Sequence, residues 1–343
     1  MKATIIVTGG AGYIGSHTIV DLLEQGYNVV SIDNFINSSP DAYTKIKAIT
    51  GIEIQHFDID ICDKKSLMQV FNELDHVSGV IHFAALKAVG ESVEKPLLYY
   101  YNNIVGLINM LEVCIKNGVG SFIFSSSCTV YGIPASSPVL ESTPLQDAAS
   151  PYGATKQMGE RIVTDAVTGN AMKAILLRYF NPAGAHPSGM MGEAPIKTAY
   201  NLVPAITETA IGKRKMLKVF GDDYNTRDGS CVRDYIHIMD LARAHTLAVQ
   251  NLIAGGQKSE IEIFNLGIGN GVTVLEMINA FEKVAGIKLN YDIGKRRPGD
   301  VPAIYSNYEK IKQRLDWEPR YTVSDIMETA WKWELARNKQ QNE

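Results

Sequence analysis

The stretch Ala3-Thr4-Ile5-Ile6-Val7-Thr8-Gly9-Gly10-Ala11-Gly12-Tyr13-Ile14-Gly15 decides the fold. Its opening run, rich in β-branched residues, is of the kind buried on both faces of a parallel sheet. The run passes straight into glycines 9, 12 and 15, and a periodic helix is expected from Ile14 to Gln25. Gly9 and Gly12 permit a tight turn and close approach of a pyrophosphate to the backbone. Gly15 lets the helix pack on the strand, and the helix N-terminus faces the negative charge. Glycine triplets also occur in ordinary turns, but here strand, turn and helix stand in the required order.

Working outward, the next strand, Asn28 to Ile32, ends at Asp33, eighteen residues beyond Gly15. A carboxylate there accepts hydrogen bonds from the adenosine ribose and repels a 2′-phosphate, which favours NAD over NADP. The alternation then repeats: helix 41–48, strand 53–57, helix 65–74, strand 79–83. Asp58 and Asp60 follow the third strand and are both candidates for the adenine amino group, Asp60 being preferred. The fourth strand runs into Phe83-Ala84-Ala85-Leu86-Lys87, whose small residues suit a backbone close to the cofactor, with Lys87 near its ribose and phosphates. Leu97, Tyr101, Ile104, Ile108, Leu111 and Ile115 recur at helical spacing, predicting one long helix whose apolar stripe is core or part of a dimer contact. Asn102 and Asn103 interrupt it and are placed to reach the cofactor.

The fifth strand, Ser121 to Phe124, ends in Ser125-Ser126-Ser127-Cys128-Thr129. Ligands of open α/β sheets bind outside the carboxyl ends of the strands, so these hydroxyls should line the cleft. Ser150-Pro151 then reads as an N-cap and first helical position. It starts a helix on which Tyr152 and Lys156, four residues apart, share a face. A phenol loses its proton near pH ~10. The adjacent ammonium is expected to lower that value, as suits a base acting on a sugar hydroxyl. Alone, the pair is no more than two neighbours on a helix.

The 343 residues are 45% hydrophobic and 20% charged, ordinary for a globular chain with a sizeable core. A net charge of −4 gives no electrostatic reason to expect nucleic acid. Four scattered cysteines without a C-x-x-C pair read as reduced thiols in the cytoplasm. The seven histidines show no metal-ligand spacing, so no metal is expected. There is no signal peptide, and no apolar run nears the ~20 residues that span a bilayer. The fold class is therefore α/β, a Rossmann-type doubly wound parallel sheet with a smaller α/β substrate-binding domain. Residues 1–180 are expected to bind NAD, with the chain returning at 234–258, and 181–233 with 259–343 to bind substrate. Arg233 and Arg297 are the best candidates to hold a diphosphate, since guanidinium forks match phosphate oxygens.

Several segments together resemble the extended short-chain dehydrogenase/reductase family, and within it most closely the UDP-glucose 4-epimerase branch. They are Val7–His17, Leu86–Val93, Phe124–Ser127, Ser150–Gly153, Arg178–Pro182 with Gly184–Gly189, and Val232–His237. The resemblance implies NAD-dependent, reversible interconversion of UDP-glucose and UDP-galactose through a 4-keto sugar. It implies that Tyr152 is the base, Lys156 its electrostatic partner and ribose anchor, and Ser127 a hydrogen-bond donor to the reacting oxygen. It further implies cofactor contacts from Gly9, Gly12, Tyr13, Ile14, Gly15, Asp33, Asn34, Asn37, Ser38, Asp60, Ile61, Phe83, Ala84, Ala85, Lys87, Asn102 and Phe180. Sugar-nucleotide contacts fall to Ser127, Thr129, Asn181, Asn201, Leu202, Arg233, Arg297 and Asp300, with Lys218 to Phe220 meeting uracil through backbone.

Two departures bear on chemistry. The 4,6-dehydratases of the family carry an Asp-Glu pair just after the strand-end serine or threonine, where this chain has Cys128 and Thr129. Where many relatives restricted to unacetylated sugars carry tyrosine, it has Ile304, smaller but stiff. Activity on UDP-N-acetylhexosamines thus stays open. Other readings are an epimerase of another UDP-sugar (N-acetylglucosamine or a uronic acid), a net NAD-dependent reductase, and a non-enzymatic NAD-responsive regulator. The resemblance also implies a homodimer built from the 97–115 and 152–167 helices.

Overall fold

The computed structural model describes residues 2–196, 199–297 and 300–342. Strands β1 (Thr4–Thr8), β2 (Asn28–Asp33), β3 (Gln55–Asp58), β4 (Gly79–His82), β5 (Ser121–Ser127) and β6 (Lys173–Tyr179) are joined through helices. These are α1 (Tyr13–Glu24), α2 (Asp41–Thr50), α3 (Lys64–Asn72), α4 (Val89–Glu94), α5 (Pro96–Tyr100), α6 (Gly106–Lys116) and α7 (Pro151–Val167). Every pairing in this sheet is parallel. The apolar runs of the strands are divided between two buried faces. Ile5, Val7, Ile123, Ile175 and Leu177 point one way, into α1 and its neighbours, while Ile6, Phe122, Phe124, Ala174 and Leu176 point the other, towards α3, α6 and α7. Each large side chain so enclosed contributes about 1.5–3 kcal/mol.

Beyond β6 the alternation loosens. The chain forms β7 (Asn181–Ala183), α8 (Leu202–Ala210), β8 (Leu217–Phe220), β9 (Val232–Arg233) and β10 (Tyr235–His237), then helix α9 (Ile238–Ile253). There follow β11 (Ile261–Leu266), β12 (Val272–Thr273), α10 (Val274–Ala285), β13 (Tyr291–Gly294), β14 (Ala303–Ile304), α11 (Glu309–Leu315) and α12 (Val323–Asn342). A separate core gathers Val203, Ile206, Val219, Met277, Phe281, Ile326 and Met327 from α8, β8, α10 and α12. Thr273 and Glu276 form a reciprocal capping box at the start of α10, and Gly286 ends that helix in the left-handed conformation.

Two expectations need correction. Residues from 259 onward were assigned wholly to the smaller part, yet β11 pairs in parallel with β6 as the seventh strand of the large sheet, in the order β11-β6-β5-β4-β1-β2-β3. Its outer half, Ile261-Glu262-Ile263, is only partly buried, as befits an edge strand, and this hid it among the looser segments. The single long helix is α5 and α6 joined through a π-helical turn at Tyr101–Val105. On both sides of that turn the stripe faces outwards at Leu97, Tyr101, Ile108 and Ile115, and only Leu111 of it is fully buried. Among the described residues no helix is long and apolar enough to cross a membrane.

Candidate active site

The strand order places the switch point between β1 and β4, and a crevice opens outside their carboxyl ends. The glycine turn lies there. Gly9 has φ 69°, and a Cβ on it would sit 2.8 Å from the Ala84 nitrogen; a Cβ on Gly15 would collide with the Gly9 carbonyl oxygen. The two strand ends are tied by Thr8 Oγ1, which lies 3.0 Å from His82 Nδ1 and accepts from the Ala84 amide at 3.3 Å. At the end of β2, Asp33 Oδ2 accepts from the Ala11 amide at 3.0 Å, and Oδ1 from the Phe35 amide and the Ser38 hydroxyl at 2.9 and 2.7 Å. Oδ2 keeps acceptor capacity for a ribose hydroxyl. The residues present therefore fit a dinucleotide: a backbone cradle too tight for side chains, a helix N-terminus, and an aligned carboxylate.

Other expected cofactor residues divide into lining and packed groups. Tyr13 donates to the Gly184 carbonyl at 2.6 Å, tying the turn to the segment after β7. Asp58 and Asp60 are both exposed, and Asp60 accepts from the Cys62 amide at 2.8 Å. Asn34 holds the Ile36 amide, and Asn37 is exposed. Ile14 and Phe83 pack against the core beside α1, and Ala84 against the opposite one. Ile61 is buried, as is Phe180, whose ring sits among Val130, Tyr131, Val139 and Ile304. The Asn102 amide donates to Asn103 Oδ1 at 2.9 Å. Asn103, expected to reach the cofactor, is instead bonded to both polar backbone atoms of Leu86 and to Thr155 Oγ1, which joins the β4 loop to α7.

The Tyr152 helix begins where expected, with Ser150 Oγ accepting from the Gly153 amide at 3.1 Å. Ser127 ends β5; its hydroxyl accepts from the Thr129 amide at 3.2 Å and acts on the Tyr152 phenol to lower its pKa. Lys156 Nζ donates to the Ser125 carbonyl at 2.6 Å and stands 5.9 Å from the Tyr152 ring centre. The three predicted groups are thus brought together at one strand end. Their electrostatics add what spacing does not show. Burial raises the Tyr152 pKa far above its ordinary value, and Ser127 only partly opposes it. Burial also lowers Lys156 to about 8, against the pull of Glu160. The lysine does not by itself make the phenol acidic. Thr129 Oγ1, expected to meet substrate, is buried without a partner among the described residues, a polar atom suited to a ligand.

Beneath this site lies a network that the sequence reading did not single out. Glu160 takes Arg178 Nε and Nη2 at 2.8 and 2.6 Å and the Ser126 hydroxyl at 2.5 Å. Arg178 also reaches Tyr131, whose hydroxyl donates to Asn265 at 2.6 Å. Tyr179 and Ser125 share a short hydroxyl contact. Glu160 continues the four-residue row Tyr152, Lys156, and that spacing was the available signal.

The sugar-nucleotide candidates form a second group. Asp300 Oδ1 accepts from Arg297 Nη2 at 2.8 Å and pairs with Arg233 Nη2 at 3.4 Å. Arg233 also donates to the Val301 carbonyl at 2.6 Å and acts electrostatically on Cys128. Arg297 lies over the Phe220 ring at 5.4 Å. Lys218 and Phe220 sit on β8, which pairs only with β13 among the described residues. Pro298 and Gly299 of the motif around Arg297 lie outside the described residues. The Asn181 amide bonds the Asp234 carbonyl, next to Arg233. Asn201 caps α8, just before Leu202, and donates to Glu193. Among the described residues no cluster of three His, Cys, Asp or Glu is placed to hold a metal ion.

This arrangement has close counterparts. The family model described as GDP-mannose 4,6 dehydratase matches residues 6–330. The chain is 46% identical over 333 residues to UDP-glucose 4-epimerase of Bacillus subtilis (strain 168), covering 97% of each. It superimposes with a TM-score of 0.93 and 43% identity on UDP-glucose 4-epimerase of Bifidobacterium longum in complex with NAD+ and UDP, covering 98% of this chain and 99% of that one. The enzyme of Stenotrophomonas maltophila, with bound NAD and formylated UDP-arabinopyranose, gives 0.95 and 41%, again over 98% and 99%.

Proposed function

The chain belongs to the UDP-glucose 4-epimerases of the extended short-chain dehydrogenase/reductase family, and from that premise we propose which residues carry its reaction. It is an isomerase that uses NAD and interconverts UDP-glucose and UDP-galactose. The observation that carries the residue assignment is Lys156 Nζ standing 5.9 Å from the Tyr152 ring centre while bonded to the Ser125 carbonyl, two residues before the strand-end Ser127.

When bound, NAD supplies a reversible hydride acceptor for C4 and the positive charge that the high Tyr152 pKa leaves wanting. Tyr152 then takes the 4-hydroxyl proton as phenolate, holds it while the sugar is at the 4-keto level and turns over, and returns it to the same oxygen once C4 has regained its hydrogen on the other face. Ser127 donates to the same oxygen and keeps the phenol aimed at it. Lys156, fixed by the Ser125 carbonyl, anchors the ribose and adds a cation behind Tyr152. Arg233, Arg297 and Asp300 hold the UDP, with β8 offering free backbone to uracil, so the keto sugar turns over without leaving. Gly9, Gly12, Gly15, Asp33, Asn34, Asn37, Ser38, Asp60 and Lys87 line the dinucleotide. Cys128 and Thr129 lack the carboxyls that elimination of water requires, so the dehydratase chemistry of the matching family model has no base here.

Phenylalanine at position 152 removes only the proton carrier. Tyr152→Phe should keep NAD and UDP binding yet lose at least ~100-fold in kcat, measured by sugar analysis of UDP-galactose incubations without added cofactor. Normal turnover would refute the assignment. The same assay with UDP-N-acetylgalactosamine tests a wider substrate range, for which the smaller Ile304 leaves room.

Residues 1–180, the return at 234–258 and β11 are proposed as the cofactor lobe, the remainder as the substrate lobe. Leu97, Tyr101, Ile108 and Ile115 are exposed, as is Met158 on α7, which packs against the same helices; these are the apolar residues that a second copy would cover. A sedimentation mass of only 37.7 kDa at micromolar concentration would reject that homodimer. Four free cysteines fit a reducing compartment, and the cytoplasm is the proposed location.

A further inference from the structure

Glu193 stands on the segment between β7 and α8, and one of its oxygens holds partners from both sides of the cleft. Asn201 Nδ2 donates to Glu193 Oε1 at 2.7 Å, and Lys87 Nζ lies 3.6 Å from that same oxygen. Lys87 belongs to the loop after β4, Asn201 to the cap of α8. The carboxylate is fixed from behind: its backbone carbonyl accepts from Trp333 Nε1 at 2.9 Å. Gly192 lies so close to the same indole that a Cβ would meet it at 2.5 Å. Lys45 of α2 covers the Trp333 ring at 4.8 Å, so the anchor itself spans both lobes. The Glu193 side chain is 11% exposed and that of Lys87 60%, which makes the glutamate the fixed partner and the lysine the guided one. The charge of Glu193 also reaches Tyr13 in the glycine turn.

We propose that Glu193 is a positioning residue that couples the two ligand sites, holding Lys87 towards the dinucleotide and Asn201 towards the UDP-sugar from a single carboxylate oxygen. The inference rests on the reading above that Lys87 serves the cofactor and Asn201 the sugar nucleotide. A half-exposed ion pair adds little to stability, so the effect belongs in ligand binding. An amide at 193 still accepts from Asn201 but no longer attracts Lys87, whereas a methyl group does neither.

The test uses the NAD-loaded protein. Glu193→Gln should lose NAD about tenfold faster on dilution, read as cofactor recovered from the washed protein, with UDP affinity by calorimetry within about threefold of the parent. Glu193→Ala should show the same NAD loss and a further ~10-fold weaker UDP affinity. Lys87→Met added to Glu193→Gln should cost no more than Lys87→Met alone, since the carboxylate acts on the cofactor through that lysine. Retention of NAD at the parent rate by a folded Glu193→Gln, or a fully additive double variant, would overturn the coupling. Lys87→Met and Asn201→Ala made singly separate the two levels. If they change neither NAD retention nor UDP affinity, the underlying assignment fails; if they do and the Glu193 variants do not, only the coupling fails. Should Glu193→Ala not fold, Glu193→Gln decides alone.

Discussion

The crevice at β1 and β4 and the charged cluster at Arg233 are built from different materials. The crevice is shaped by main chain: a glycine at positive φ pressed against the Ala84 backbone, with the Ala11 and Ala84 amides fixed by the side chains of Asp33 and Thr8. The cluster is side chain: two guanidinium groups sharing Asp300, with Arg233 also bonded to the Val301 carbonyl. Backbone cannot exchange partners, so substitutions in the crevice act by collision and their effects are abrupt. Paired side chains can trade a partner for a phosphate, so substitutions in the cluster act by charge and their effects are graded.

The sharpest break of that contrast is Gly15→Val. A single Cβ already collides with the Gly9 carbonyl oxygen, and valine adds two methyl groups at the start of α1. The turn must open, and NAD affinity should fall by more than ~100-fold, beyond what one lost hydrogen bond explains. Cofactor content of the purified variant measures this; parental NAD content would show that the cradle is looser than its geometry. Smaller and confined to the other site is Arg233→Met. Losing one charge-assisted contact costs about 1.5–3 kcal/mol, or ~10–100-fold in UDP affinity, with NAD content unchanged. A variant that also lost NAD would erase the distinction between the two sites.

The same contrast explains what the sequence disclosed. The crevice is local: Val7 to Gly15 and Asp33 follow within one β-α-β unit, and their order is dictated by a turn that only glycine can make. Tyr152 and Lys156 were legible because four residues make one helical turn. The strand-end Ser127 could be placed beside them only through the sheet rule. At Tyr152 the spacing shows the neighbouring cation but not the depth of burial that opposes it. Glu193 had no local signal at all. Its partners lie at positions 87, 201 and 333, and only the folded chain brings them to one carboxylate. The break in the 97–115 helix was hidden for a different reason, since a π turn leaves no mark in an apolar periodicity.

The mildest test concerns acid, and it separates the regions again. His17 in α1, His82 at the end of β4 and His245 in α9 are buried in or on the large sheet, and His237 stacks on Tyr321 where the second lobe begins. Burial lowers these four from the ordinary 6.5 to about 4, 3, 4 and 3 respectively. None lies in the Arg233 cluster. Between pH 6.5 and about 4 the unfolded chain binds protons on these rings that the folded chain refuses. Stability therefore rises with pH across that window and is lost on acidification, by about 1.4 kcal/mol per pH unit for each proton. Asp21, Asp234 and Asp240, raised by burial, act in the opposite sense, so a difference measurement isolates the histidines. His245 suits it: its ring packs on Phe83 and Tyr179, and Nδ1 is bonded to the Leu241 carbonyl of its own helix. In urea titrations from pH 6.5 to 5, His245→Leu should show a shallower slope than the parent, smaller by up to one proton. Equal slopes would mean that the ring takes up its proton in the folded sheet, and that the large lobe tolerates acid as well as the cluster does.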